Sequence, residues 1–116
     1  MGSQEKNLNP KRYEIYFADL NPTMGSELKK IRPVVIVSQD VMNIYLETVV
    51  VCPLTSNLHP KWRSRIKIMC ANKPAEIAVD QIRTISKQRL KTIIDHLTPQ
   101  EAHQLRILIT EMYGEE

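Results

Sequence analysis

Short β-branched and aromatic runs, separated by polar or proline-containing turns, dominate the chain from Tyr13 to Ile85. Residues Val34–Val37 are all β-branched, which is typical of a strand buried on both faces. Thr48–Leu54 is a second β-branched run, and Arg65–Cys70 alternates polar and apolar residues as a half-exposed strand does. The pattern predicts about six short strands in all, the others being Tyr13–Leu20, Glu76–Val79 and Asp80–Ile85.

Helical signals are strongest near the end of the chain. Thr98-Pro-Gln-Glu101 is a capping box with proline at the first helical position, and it predicts a helix that reaches about Met112. Apolar residues recur at helical spacing within Lys87–Leu97 and predict another helix there, while a shorter one is expected over Val41–Tyr45. The expected fold class is therefore mostly β with helices, a small and strongly bent sheet closed by C-terminal helices.

Composition is that of an ordinary globular protein. With 116 residues and a hydrophobic fraction of 42%, the chain can bury a modest core, and we expect one domain over residues 11–116. Residues 1–10 are polar and aperiodic, so a flexible leader is expected there. No apolar run approaches the ~20 residues of a membrane helix, and no apolar signal core opens the chain. We therefore expect a cytoplasmic protein without a membrane partner.

Charge is unevenly distributed along the chain. All Lys and Arg residues except Arg106 precede Asp95, and the formal net charge is +3. A basic body followed by a more acidic end suggests a polyanion site on the body. Cys52 and Cys70 lie in or at the end of apolar strands and are expected to be free, buried thiols, with a disulfide as the alternative. The histidines are scattered, so neither a metal site nor another cofactor is expected.

Two candidate site residues stand at strand ends. Arg32 precedes the Val34–Val37 strand, and Thr55 follows the Thr48–Leu54 strand. If the two strands pair antiparallel, both side chains meet at one edge of the sheet, where a guanidinium and a hydroxyl favour a phosphate. The alternative is that Arg32 is an ordinary solvated charge and Thr55 belongs to a turn.

A cationic aromatic loop follows the second of these strands. Lys61, Trp62 and Arg63 lie just before Arg65, and a tryptophan flanked by cations is suited to binding unstacked bases and phosphates. The alternative is that Trp62 folds back as a lid over the core.

Five blocks resemble the MazF/PemK family of toxin endoribonucleases, in the family's order over roughly residues 12–91. They are Glu14–Thr23, Gly25-Ser-Glu27, Arg32–Ser38, Pro53–Ser56, and Asp80–Ile85 with Arg89-Leu90. The resemblance implies an SH3-like β-barrel and a homodimer, with RNA lying across a groove at the subunit interface. An acidic antitoxin peptide is expected in the same groove, and operator DNA is expected as a partner only of the toxin–antitoxin complex.

The resemblance also implies metal-independent cleavage of single-stranded RNA, which leaves a 2′,3′-cyclic phosphate and a 5′-hydroxyl. Arg32 matches the family's catalytic arginine and Thr55 its catalytic threonine. A guanidinium holds its proton above pH ~12, so the proton acceptor has to be sought elsewhere. Candidate acceptors are Glu27 and Asp80, the latter with a structural turn as its alternative role.

The remaining candidate residues are expected to handle substrate. Ser26 and Gln81 are predicted to position it. The predicted RNA-binding side chains are all basic or aromatic and comprise Lys29, Lys30, Lys61, Trp62, Arg63, Arg65 and Arg83.

The chain departs from the family pattern at several positions. Some members have histidine where this chain has Ser26 and arginine where it has Ala78, and the family often has Gly-Asp where this chain has Tyr13-Glu14. None of these departures removes Arg32 or Thr55. Two other functions stay open, a non-catalytic nucleic-acid-binding barrel and a toxin that poisons DNA gyrase on a related fold.

Overall fold

A computed structural model describes residues 9–20 and 31–114, which form seven strands and two α-helices. The strands are β1 Glu14–Asp19, β2 Ile31–Ile36, β3 Thr48–Thr55, β4 Arg65–Cys70, β5 Lys73–Ala78, β6 Arg83–Ser86 and β7 Leu90–His96. The helices are α1 Asp40–Tyr45 and α2 Pro99–Tyr113, and 3₁₀ turns cover Val79–Gln81 and Lys87–Arg89.

The sheet is antiparallel in the order β4-β5-β3-β2-β1-β7, and β6 pairs with β3 beside this path. The eight residues of β3 make this branching possible, because they are shared among three neighbours. Thr48–Val51 pairs with β6, Val51–Pro53 with β2, and Leu54–Thr55 with β5. One edge of β3 thus changes partner along its length, which brings strands from both halves of the chain around its last residues.

Two apolar clusters lie on the two faces of the sheet. Val35, on β2, packs into a cluster with Ile77 and Leu105, whereas its neighbours Val34 and Ile36 pack into the other cluster. Alternate side chains of a strand point to opposite faces, so β2 is buried on both sides, as its β-branched composition predicts. Burial of each such side chain contributes roughly 1.5–3 kcal/mol.

Helix α2 begins as its sequence predicts. The Thr98 hydroxyl accepts a hydrogen bond from the Glu101 N–H at 3.1 Å, and the Glu101 carboxylate accepts one from the Thr98 N–H at 2.9 Å. The helix buries Ala102 and Leu105 against the sheet. The expected mostly-β fold with a C-terminal helix is therefore confirmed, and so is the short helix α1.

Two predicted elements are wrong. Lys87–Leu97 is not a helix: it forms a 3₁₀ turn and then β7, which pairs antiparallel with β1. Pairing along the edge of β1 outweighs the helical spacing of the apolar residues, as tertiary contacts often do. Asp80–Ile85 is not one strand either, because its beginning belongs to the 3₁₀ turn Val79–Gln81 and only β6 pairs with β3. One C-terminal helix rather than several therefore follows the sheet.

Across residues 9–20 and 31–114, neither helix has the length and apolarity that a membrane span requires. Pro10, which the sequence assigned to the leader, is buried, and its carbonyl accepts a hydrogen bond from the Asn43 amide at 2.9 Å. The chain is therefore tied to α1 from at least this residue onward.

Candidate active site

Pairing of β2 with β3 brings Arg32 and Thr55 to one cleft. The strands pair antiparallel with Val34 opposite Pro53, so the same register, continued by two residues, places Arg32 opposite Thr55. Both residues line a cleft of about 400 Å³. The predicted antiparallel pairing of the two strands is thus confirmed.

Arg32 lies half-buried near the start of β2. Its Nη1 donates a hydrogen bond to the Leu54 carbonyl at 3.2 Å, which ties the guanidinium to the backbone residue just before Thr55. A planar guanidinium held in this way presents donors in a fixed geometry that suits phosphate oxygens.

Thr55 ends β3 and has only 5% of its surface exposed. Its Oγ1 accepts a hydrogen bond from the Asn57 N–H at 3.0 Å, which is the local turn that threonine favours after a strand. The Asn57 N–H binds a lone pair of this oxygen, so the hydroxyl proton can still donate a hydrogen bond to another group. The turn and a role as hydrogen-bond donor are therefore compatible.

The cleft has a second cation and an apolar wall, neither of which sequence reasoning identified. Lys73 lines it from the start of β5, and Phe17, which is 38% exposed, lines it from β1 together with Ile94 from β7. Phe17 pairs with Pro33 across the strands, so it stands beside Arg32. The register of β1 with β7 shifts between Ile93 and Asp95, and such a bulge reorients the side chain that it contains.

Cys70 also lines the cleft and is buried. Burial raises the pKa of its thiol, and the negative charges of Asp95 and Glu101 add to this effect. A neutral thiol is a poor nucleophile, so Cys70 contributes shape rather than covalent chemistry. Cys52 is likewise free, and burial first, then the charge of Asp80, raises the pKa of its thiol to about 12.

A buried ion-pair network lies next to Thr55, on the neighbouring strand β5. Glu76, on β5, pairs with Thr55 across the strands and is only 1% exposed. Its carboxylate lies 3.4 Å from Arg65 Nη1 and accepts a hydrogen bond from the His59 N–H at 2.9 Å. Arg65 Nε in turn donates to Asp80 at 3.2 Å. The charge of Arg65 is thus balanced inside the protein.

The aromatic loop is ordered around the same arginine. The rings of Trp62 and His59 stack with centroids 3.8 Å apart, and the Arg65 guanidinium carbon lies 4.7 Å from the centre of the Trp62 ring. Trp62 nevertheless keeps 48% of its surface exposed and lies outside both apolar clusters of the described residues. Trp62 therefore does not cover the core as a lid. It lies in the loop, where part of its ring surface contacts His59 and Arg65 and the rest is exposed.

Of the predicted site residues, the structure brings Arg32 and Thr55 together at the cleft. Among the described residues, seven candidates do not line the Arg32–Thr55 cleft, namely Lys61, Trp62, Arg63, Arg65, Asp80, Gln81 and Arg83. The candidates Ser26, Glu27, Lys29 and Lys30 lie outside the described residues. Within residues 9–20 and 31–114, no group of three His, Cys, Asp or Glu side chains is placed to hold a metal ion.

Comparison with known proteins identifies a family and several relatives. Residues 11–113 match the family described as "PemK-like, MazF-like toxin of type II toxin-antitoxin system". Endoribonuclease EndoA of Bacillus subtilis is 37% identical over 92 residues, which cover 75% of this chain and 79% of the relative. Endoribonuclease MazF of Staphylococcus saprophyticus is 35% identical over 109 residues, 90% of this chain and 91% of the relative.

Solved structures share the fold. MazF from Deinococcus radiodurans superposes with a TM-score of 0.81 at 16% identity and covers 92% of this chain and 98% of its own. An endoribonuclease in complex with its cognate antitoxin, from a mycobacterial species, superposes with a TM-score of 0.69 at 20% identity, covering 93% and 96%.

Proposed function

The chain belongs to the PemK-like, MazF-like toxins of type II toxin–antitoxin systems, and we propose that it is an endoribonuclease that cuts single-stranded RNA at the Arg32–Thr55 cleft. The observation that carries the proposal is the meeting of Arg32, Thr55 and Lys73 around one cleft. Two cations and a hydroxyl are the groups that bind and polarise a phosphodiester.

The proposed reaction is an internal transesterification. The ribose 2′-oxygen attacks the adjacent phosphorus and forms a new O–P bond as its proton passes to an acceptor. The bond from phosphorus to the 5′-oxygen breaks, and that oxygen takes up a proton. The products are a 2′,3′-cyclic phosphate and a 5′-hydroxyl. Because the substrate supplies its own nucleophile, no metal ion is needed to activate water, and we propose metal-independent cleavage.

Each residue of the cleft has a distinct role in this proposal. Arg32 contacts the non-bridging oxygens, stabilises the charge that develops on them and donates the proton to the 5′-oxygen. Thr55 donates a hydrogen bond to a phosphate oxygen, and Lys73 adds positive charge. Loss of one such preorganised donor typically lowers kcat by about 10²–10³-fold. Thr55→Val is expected to do so, whereas Thr55→Ser, which keeps the hydroxyl, should retain most activity.

The proton acceptor is proposed to be Glu27 rather than Asp80. The Asp80 carboxylate is bound to Arg65, and this contact favours its structural role. Glu27→Gln should therefore slow cleavage much more than Asp80→Asn. The sequence-predicted positioning roles of Ser26 and Gln81 are retained in the proposal.

RNA binding is proposed to extend over the basic loops. Trp62 offers its exposed surface to a base, and the cations Lys29, Lys30, Lys61, Arg63 and Arg83 contact phosphates. Arg65 is the exception: its side chain is 7% exposed and pairs with two carboxylates, so it positions Trp62 and β5 instead of binding RNA.

The same surface suits an acidic antitoxin peptide, because carboxylates can replace phosphates beside Arg32 and Lys73. One structural neighbour was solved with its cognate antitoxin. We propose that such a peptide occupies the cleft of this chain and that operator DNA is bound only by the resulting complex.

A homodimer is part of the proposal. Helix α1 and the residue after it expose five large apolar side chains, those of Val41, Met42, Ile44, Tyr45 and Leu46, while Asn43 is buried. A contiguous apolar patch of this kind is typical of an interaction surface. Ile44→Asp should shift the protein from dimer to monomer in light scattering after size-exclusion chromatography, and an unchanged dimer would exclude this face.

The test of the enzyme uses a long, mixed-sequence single-stranded RNA in excess EDTA. The wild-type protein and Lys67→Ala, which loses an exposed cation on β4, should both make discrete cuts, and Arg32→Ala should make none while keeping its circular dichroism spectrum. Uncut but bound RNA would instead indicate a non-catalytic binding barrel. If RNA is neither cut nor bound, capture of a gyrase subunit would support the gyrase toxin.

A further inference from the structure

A second basic cleft, of about 450 Å³, lies where the N-terminal side of β1 meets α2. Arg12, Tyr13, His96 and Arg106 line it, and none of these residues lines the Arg32–Thr55 cleft. The guanidinium carbons of Arg12 and Arg106 lie 5.1 and 5.8 Å from the centre of the same Tyr13 ring. Both distances are within the ~6 Å range of a cation–π contact. Two positive charges therefore share one aromatic ring.

The part of the chain that the structure describes does not neutralise these charges. Among the described residues, neither Arg12 nor Arg106 forms a salt bridge with a carboxylate. Asp40 contacts the backbone of Arg12: its Oδ1 accepts a hydrogen bond from the Arg12 backbone N–H at 2.7 Å. Glu111 lines a neighbouring cavity with Arg106 without pairing with it. Two like charges that line one cleft repel each other, and an anion bound there would offset this repulsion.

The Nε atom of Arg12 is a second, independent observation. It is buried and has no hydrogen-bond partner among the described residues. A buried donor of a charged group without an acceptor costs free energy, and such groups call for an explanation. An oxyanion bound in the cleft that both arginines line would offset this uncompensated charge.

Tyr13 holds the arrangement in place at some conformational cost. Its φ is 75°, a region that non-glycine residues rarely occupy. The strain is maintained by backbone hydrogen bonds on both sides, from Tyr13 N–H to the Ile36 carbonyl at 2.7 Å and from Leu97 N–H to the Tyr13 carbonyl at 2.9 Å. The phenol accepts a further hydrogen bond from Arg106 at 3.3 Å.

We propose that Arg12 and Arg106 form a second phosphate-binding site, which takes a backbone phosphate of the RNA outside the position of cleavage. This inference rests on the proposed function. The two clefts are neighbours, because β7 contributes Ile94 to one and His96 to the other, and two residues of a strand span about 7 Å. Asp95 lies between them and repels phosphate, but its oxygens accept hydrogen bonds from the backbone N–H groups of Ala71 and His96. The two guanidinium groups supply positive charge and hydrogen-bond donors, so the ligand that the site suits is a phosphate.

The site itself is tested with inorganic phosphate, independently of any RNA. In nuclear magnetic resonance spectra of the wild-type protein, the Nε–H signals of Arg12 and Arg106 should shift saturably as phosphate is added. Arg106→Gln should weaken the response of Arg12, and Lys67→Gln should leave it unchanged. An Arg12 Nε–H signal that does not move would overturn the assignment, even if Arg32 responds.

The RNA assignment is tested with a 2′-O-methyl oligonucleotide, which the proposed reaction cannot cleave. Arg12→Gln/Arg106→Gln should weaken binding by about tenfold or more. The slope of log affinity against log salt should become shallower by about 0.7, which corresponds to one lost phosphate contact on a single strand. The control Lys67→Gln/Lys91→Gln removes the same charge from exposed positions and should keep the wild-type slope.

The outcomes separate this inference from the proposed function. If wild-type protein binds the oligonucleotide and the Arg12/Arg106 variant keeps the full slope, RNA does not reach the site and the inference is wrong. If phosphate shifts Arg12 but no RNA binds to any variant, the proposed function fails, and the cleft takes free phosphate instead of RNA. Arg12→Lys/Arg106→Lys keeps both charges but lacks the planar guanidinium groups, so it should retain part of the RNA affinity. This variant also shows whether the glutamine variant loses affinity merely because it misfolds.

Discussion

Glu76→Gln is expected to destabilise the fold by about 3 kcal/mol, although the two side chains have nearly the same shape. Glu76 is almost wholly buried and faces Arg65, which is almost wholly buried as well. Removal of one partner from such a pair typically costs 3–5 kcal/mol, because the other charge is left in a poorly solvated site. The lower end applies because Asp80 still contacts Arg65 and the glutamine oxygen can still accept the His59 N–H.

Urea unfolding followed by circular dichroism gives the free energy directly, and thermal unfolding should show a decrease in Tm of roughly 12 °C for a chain of this length. Asp80→Asn is the matched control. Its carboxylate is about one-third exposed, so loss of its contact with Arg65 should cost under about 1 kcal/mol.

A double-mutant cycle isolates the pair. Arg65→Met combined with Glu76→Leu removes both charges and fills the space with apolar groups, so the double variant should be less destabilised than the sum of its single variants. A loss for Glu76→Gln no larger than that for Asp80→Asn would refute the reasoning. The buried pair would then not be what holds β5 beside Thr55.

Two further predictions concern the loop and the turn near the site. Trp62→Ala should weaken RNA binding by roughly 1–3 kcal/mol in a fluorescence anisotropy titration, the range for one stacked base, and unchanged affinity would limit Trp62 to its contacts with His59 and Arg65. Hydrogen bonds from the backbone N–H groups of Ala71 and His96 lower the pKa of Asp95, so its carboxylate stabilises the fold above the unfolded pKa of about 3.9, and this contribution disappears as the pH falls through the folded pKa. Asp95→Asn should therefore lower Tm at pH 7 but not in strong acid; an equal loss at both pH values would contradict this assignment.

Local signals predict some of the fold from sequence alone. The capping box of α2 is complete within four residues, and the β-branched run of β2 implies burial on both faces. The β7 segment was predicted to be a helix because its apolar residues also fit helical spacing. Its identity depends on pairing with β1, which lies some seventy residues earlier. Only the folded sheet brings these segments together.

The candidate site likewise contains some residues that the sequence predicts and others that it does not. Arg32 and Thr55 were predictable as neighbours because one lies near the start of β2 and the other at the end of β3, and these strands pair antiparallel. Lys73, Phe17 and Ile94 reach the cleft through three other strands, so no local pattern marks them.

Charged residues near the site show a related limit of sequence reasoning. Arg65 was expected on the RNA surface, yet its partners Glu76 and Asp80 come from distant positions and balance its charge internally. Sequence identifies a cation but not the carboxylates that fold against it. Tyr13 is a different case, because its φ of 75° lies in a region that favours glycine, and no local sequence pattern predicts this conformation.

The central claim is that the 2′-hydroxyl of the RNA is the nucleophile at the Arg32–Thr55 cleft. It is tested by replacing one nucleotide, at a mapped cleavage position, with its 2′-deoxy form and incubating the RNA with the wild-type protein in EDTA. We predict that cleavage at that position stops while binding continues, and that the unmodified RNA yields 2′,3′-cyclic phosphate ends. Continued cleavage at the deoxynucleotide, with ordinary phosphate ends, would mean that water attacks the phosphorus and would contradict the account.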